Sequence, residues 1–257
     1  MQNKGNNNSR FLNRVGEIHK NNNGEEFEII EYINALNCTI RFMDVNKYTI
    51  ENVSYKRIEL GKVKNPFALS VFGVGFYGGD TKNENKLSIN RWRYVLARCY
   101  NYIAQEKRPT YKDVTVCEEW YNFQNFSEWF KENWKPWMDS SWHLDKDILV
   151  KGNKIYSPET CCFVPNEINA LFNTQKNKRG ELPSSVTHIK NSIKYRSMIR
   201  LYDKTFHLGV FITPEEAFQA YKDAKEIHIK EIADKWREQV AEPCYEAMYN
   251  WSIEITD

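Results

Sequence analysis

The chain has 257 residues, of which 41% are hydrophobic and 14% aromatic, enough apolar and ring surface for two or three small cores and too much for an intrinsically disordered chain. With 36 Lys and Arg against 34 Asp and Glu the formal charge is only +2, so a nucleic-acid partner is not announced by the sum and must be sought in where charge is concentrated. No apolar run approaches the roughly 20 residues of a membrane span, and no signal-peptide core follows the start, which predicts a cytoplasmic protein without a membrane partner.

Residues 1–13 are Asn-rich and polar and are expected to be a disordered lead. Residues 14–66 hold short alternating runs, Phe27 to Tyr32, Cys38 to Phe42, Tyr48 to Ile50 and Val53 to Tyr55, separated by Asn, Asp and Gly. They read as strands of a small antiparallel β-barrel, closed because a free sheet of this size would expose both edges. The glycine-rich stretch Phe72 to Asp80 lacks the Gly-Lys-Ser/Thr ending of a phosphate-binding loop, so 67–87 is read as a linker. Two helices are predicted next, Ser88 to Ala104 with Trp92, Val95, Leu96 and Cys99, and Cys117 to Trp134 with Trp120, Phe123, Phe126, Trp129 and Phe130. Their spacings of three and four place the rings on core-facing stripes.

The six cysteines, Cys38, Cys99, Cys117, Cys161, Cys162 and Cys244, lack Cys-x-x-Cys pairing. They are read as reduced, buried thiols rather than as a structural zinc site, although Cys99, Cys117 and Cys161 are conceivable as distant ligands.

From Trp142 to Phe172 the pattern is strand, turned loop, strand and short helix, with Pro165 at the boundary and Asn166 as N-cap. This stretch resembles the ββα-metal core of HNH endonucleases of phage genomes. The resemblance implies one divalent metal, Mg²⁺ or Mn²⁺, held by Asp145 on the first strand and Asn169 on the helix, with Asn153 in the loop near the DNA. Thr160 stands where the family's middle Asn belongs, and Lys146 stands where its general base belongs. A protonated Lys beside two carboxylates does not accept a proton near neutral pH, so His143 becomes the surrogate base. On an extended strand His143, Asp145 and Asp147 share one face and could gather at one metal.

Between Gln175 and Phe206, Lys176, Lys178, Arg179, Lys190, Lys194, Arg196, Arg200 and Lys204 stand against Glu181 and Asp203. Three antiparallel strands are predicted here, Ser185 to His188, Lys194 to Arg200 and Thr205 to Phe211. A helix from Pro214 to Gln239 follows, opened by Thr213 with Glu215 and Glu216 in its first turn. The stretch from Leu208 to Tyr221 resembles the ethylene-response-factor (APETALA-type) DNA-binding domain, which implies a sheet lying in the major groove of double-stranded DNA. Arg196, Arg200 and Lys194 on one face are then the base or phosphate contacts, with Lys204, Lys178 and Arg179 beside them and Tyr195 pointing away. The tail from 241 to 257 is expected to fold back as a helical segment with an extended end.

The sequence thus predicts an α+β protein: an N-terminal barrel (14–66), a linker (67–87), a central helical HNH-like domain (88–174), a three-stranded sheet plus helix (175–240) and a tail (241–257). The two resemblances imply a phage-encoded, homing-type DNA endonuclease, double-strand cutter or nickase, in which the C-terminal sheet selects the site. Two alternatives stay open, a non-catalytic DNA-binding or regulatory protein in which Lys146 contacts phosphate, and a phage factor that meets a host protein through the barrel.

Overall fold

The computed structural model describes residues 13–172 and 182–256, which divide into two compact units. One unit runs up to Glu84 and includes Asn122–Gln124; the other comprises Asn85–Tyr121 and Asn125 onward. The expected lead falls outside the described residues except for Asn13, as do Lys176, Lys178 and Arg179.

In the first unit β1 (Ile18–Lys20), β2 (Glu26–Asn34), β3 (Asn37–Phe42) and β4 (Thr49–Val53) form an antiparallel meander in chain order. Alternation on β2 sends Phe27 and Ile29 inward, where they meet Cys38, Ile40 and Phe42 of β3 and Val53 of β4. The short helix α1 (Tyr55–Glu59) and the segment after it close this face with Ile58 and Val63. The barrel expected here is an open sheet among the described residues, because β1 and β4 each pair with one neighbour and not with each other. Edge exposure is limited instead by the three-residue length of β1 and by the α1 cover over the apolar face. The glycine-rich stretch is a tight turn, Val71 bridging to Gly75 with Gly73 at φ 78°, a left-handed conformation that glycine adopts without steric cost.

The second unit begins with α2 (Lys86–Tyr100), whose N-cap Asn85 accepts from the Leu87 amide at 2.9 Å and whose inner stripe is Ser88, Trp92, Val95, Leu96 and Cys99. The helix expected to continue to Ala104 breaks at Asn101, which caps α3 (Tyr102–Lys107) by accepting from the Ala104 amide. The second predicted helix starts as a 3₁₀ turn over Glu118–Tyr121 and becomes α4 (Phe123–Asn133). Strands β5 (Thr115–Val116) and β7 (Ile155–Tyr156) pair in parallel, and β6 (His143–Asp145) pairs antiparallel with β8 (Cys162–Val164). Pro165 takes the N-cap place of α5 (Asn166–Leu171), one residue earlier than expected, so Asn166 is the first helical residue. Phe163 of β8 is boxed by Trp129, Phe130 and Trp134 at centroid distances of 5.3, 5.5 and 5.0 Å, which fixes the hairpin on the aromatic core.

Three further strands, β9 (Val186–His188), β10 (Tyr195–Leu201) and β11 (Lys204–Phe211), make an antiparallel sheet in the order β11-β10-β9. Helix α6 (Pro214–Trp236) packs on it, opened by the capping box of Thr213 and Glu216. Gly209 sits at a bulge: Ser197 faces Gly209 while Met198 faces His207, leaving Leu208 as the extra residue. A Cβ at Gly209, where φ is 149°, would lie 2.8 Å from the Phe211 ring, which is why glycine follows Leu208. The tail folds back as α7 (Glu242–Tyr249) and an extended end, as expected. Glu167 of α5 accepts from Lys235 Nζ at 2.6 Å and Trp236 Nε1 at 2.7 Å, Trp142 meets Trp236 edge-on at 5.9 Å, and the free, buried thiols of Cys162 and Cys244 are neighbours, so α6 and α7 brace the β6–α5 region. The architecture is α+β with antiparallel sheets, and among the described residues no helix is long and apolar enough to cross a membrane.

Candidate active site

The central segment folds so that its polar residues face one cleft of about 620 Å³. His143, Asp145, Lys146, Asp147 and Asn169 line it together with residues of α2 and of the segment after α3. On β6 the burial alternates as expected, Leu144 inward and His143 and Asp145 half-buried toward the cleft.

The regular strand ends at Asp145, although the alternation of burial runs on through Asp147. Asp145 Oδ1 accepts from the amides of Asp147 at 2.7 Å and Ile148 at 2.8 Å, turning the chain. Burial pushes the Asp145 carboxyl above its ordinary range and the neighbouring Asp147 charge adds to this, against those two amides and Lys146. Asp147 lines the same cleft as His143 and Asp145, from a turn and not from a strand, and its carboxylate holds Lys146 Nζ at 2.6 Å.

Lys146 is only 7% exposed, and its ammonium is spent on Asp147 and on the Asn153 carbonyl at 2.8 Å. Two of its three N–H groups thus tie the loop together. Asn153 is used in the same way: its Nδ2 donates to the Lys146 and Ile155 carbonyls at 2.8 and 2.6 Å and its Oδ1 accepts from the Ile155 amide, which leaves no amide group for DNA. Thr160 Oγ1 donates to the Ile155 carbonyl at 2.7 Å and so pins the other end of that loop.

His143 and Asn169 line the cleft with side chains that make no hydrogen bond among the described residues. Among the described residues no three His, Cys, Asp or Glu side chains form a group at metal-ligating spacing. The pair that fits a divalent cation is Asp145 with Asn169, a buried carboxylate whose charge is not paired by a side chain, and an amide. Mg²⁺ is commonly held by one or two carboxylates, with waters and substrate phosphates completing its shell.

The same cleft is lined by Arg91, Tyr94 and Arg98 of α2, with Arg108 and Tyr111 beyond α3. Sequence reasoning read α2 for its apolar stripe and passed over these residues, although their i, i+3, i+7 spacing puts them on one face.

On the C-terminal sheet, Tyr195, Ser197 and Ile199 turn toward α6 while Arg196 and Arg200 are exposed on the outer face, in register with Val210 and Thr205 of β11. Lys194 and Lys204 are exposed at the ends of that hairpin. Arg200 pairs with Asp203 at 3.2 Å, a contact of two open side chains worth little. Compared with protein-family models, with curated proteins and with solved structures, the chain matches none.

Proposed function

We propose that the chain is a divalent-metal-dependent DNA endonuclease of HNH type, with the C-terminal sheet gripping the duplex. The observation that carries the reading is the convergence of His143, Asp145 and Asn169, from a strand and a following helix, on one polar cleft. Asp145 and Asn169 would hold Mg²⁺ or Mn²⁺, which supplies charge stabilisation to the phosphate and the leaving oxygen. His143, without a competing side-chain partner, takes the proton of the attacking water. Lys146 and Asn153 hold the loop that fixes Asp145 and take no part in proton transfer. The exposed pair Arg196 and Arg200 meets double-stranded DNA, which a small metal core alone discriminates poorly.

The test is nicking of plasmid DNA with Mg²⁺ and Mn²⁺ by wild type, Asp145→Ala and His143→Ala. Loss of general-base catalysis predicts a fall of about 10²–10⁴-fold for His143→Ala. Equal background rates in all three chains would end the enzyme reading. Retained duplex binding without metal-dependent nicking would favour the non-catalytic DNA-binding alternative.

A further inference from the structure

Arginines without carboxylate partners are expensive to half-bury, and α2 places two, Arg91 and Arg98, along the cleft, with the exposed Arg108 beside them. Arg98 donates to the Tyr156 hydroxyl at 3.0 Å and the Tyr94 hydroxyl at 2.8 Å, and its guanidinium stands 4.2 Å from the Tyr94 ring centroid and 5.0 Å from that of Tyr111. Arg108 donates to the same Tyr94 hydroxyl at 2.9 Å. Arg91 reaches the carbonyls of Ser140 and Trp142 at 2.9 and 2.6 Å. All of these partners are neutral. Among the described residues no carboxylate pairs with any of the three arginines, and the Nε groups of Arg91 and Arg98 are buried without a hydrogen-bond partner.

The two buried Nε groups cost free energy that a purely structural wall gains nothing from. Like charges around one cavity add to that cost, and Arg98 together with burial holds the Arg91 guanidinium below its ordinary value. The tyrosines fix where the arginines stand: Tyr94 is clamped by Arg98 and Arg108, and Tyr156 is buried. Rigid guanidinium forks facing a cavity are the arrangement that recognises oxyanions, and 620 Å³ holds a nucleotide-sized group.

We infer that the α2 wall of the cleft, with Arg98 at its centre and Arg91 and Arg108 flanking it, is a binding site for the phosphate of a DNA backbone. It rests on the proposed function only for the carrier of that phosphate; the anion site itself stands on the arginines. Arg98 and Arg108 hold the phosphodiester in the cleft that Asp145 and His143 also line.

The test uses the full chain in EDTA and reads the rise of its thermal midpoint on titration with inorganic phosphate, with chloride exchanged to hold ionic strength constant. Wild type is stabilised by phosphate. Arg98→Lys keeps a charge but loses the fork, and Arg108→Ala loses an exposed arm; each weakens phosphate binding by about tenfold or more, the loss of one charge-assisted hydrogen bond. The variant Arg57→Ala, at an exposed arginine of α1, keeps wild-type phosphate binding. Absence of a phosphate-specific rise in wild type overturns the inference, as does unchanged affinity in Arg108→Ala or an equal loss in Arg57→Ala. Arg108 is exposed and makes one side-chain bond, so this variant decides the matter if Arg98→Lys does not fold. Because no metal is present, phosphate binding without nicking leaves this site standing and removes the nuclease reading, while nicking without phosphate binding does the reverse.

Discussion

Asp44 in the first unit and Asp145 in the second build the same local turn and carry opposite electrostatics. Asp44 Oδ1 accepts from the amides of Asn46 and Lys47, two and three residues on, as Asp145 Oδ1 does from Asp147 and Ile148. Burial opposes the charge of Asp44, but the Asn65 amide at 2.8 Å and the turn amides outweigh it and hold the carboxyl below its ordinary range. At Asp145 burial wins, and the carboxyl goes up. Two amides fold the turn in both places; the surroundings decide whether the carboxylate's charge is favoured, as at Asp44, or opposed by burial, as at Asp145.

The largest effect that tests this contrast is expected from Phe163→Ala, which removes the ring boxed by Trp129, Phe130 and Trp134 under the β6–β8 hairpin. A loss of about 3–5 kcal/mol in urea unfolding is expected. A loss under about 1 kcal/mol would mean that another contact keeps Asp145 buried.

Next come the two aspartates, each changed to Asn and measured in EDTA. At Asp44 the new amide would face the Asn65 amide donor to donor, costing about 1–2 kcal/mol at neutral pH. A carboxyl depressed by folding stabilises the native state above its unfolded value, and that contribution is lost as pH falls through the folded value. The penalty of Asp44→Asn should therefore shrink as pH drops below the ordinary carboxylate range. Asp145→Asn keeps the acceptor for both amides and removes a buried charge, so it should cost no stability while abolishing nicking. A destabilisation as large as that of Asp44→Asn would erase the distinction between the two sites.

The smallest change in stability, within about 0.5 kcal/mol, is expected for Arg196→Ala with Arg200→Ala on the open sheet. Its readout is binding: the salt slope of duplex affinity, measured by gel shift, should fall by about two if both contact phosphates, one unit each. An unchanged slope would remove the sheet from DNA contact.

The regular elements were legible because their periods are local. The i, i+3, i+4 stripe of α2, the capping box at Thr213 and Glu216, and the alternation that separates Arg196 and Arg200 from Tyr195 each need only neighbouring residues. Closure of the first sheet was not legible, because edge pairing is set by chain geometry over many residues and a short edge with a helix cover serves as well. The turn after Asp145 was not legible, because there a side-chain oxygen of Asp145 replaces the strand ladder. The arginine wall escaped notice because the polar face of an amphipathic helix is ordinarily the solvated one, and only the tertiary fold brings Arg91 and Arg98 into one cleft with His143 and Asp145.

The brace formed by Glu167 with Lys235 and Trp236, and by Trp142 against Trp236, bears on how the chain can be dissected. A fragment ending before α6 would leave Trp142, Cys162 and the Glu167 carboxylate stripped of their cover, so the hairpin and its helix would not survive excision as a free-standing piece. The β6–α5 region and the C-terminal sheet with its helix share one scaffold, and grafting either onto another protein requires carrying α6 and α7 along.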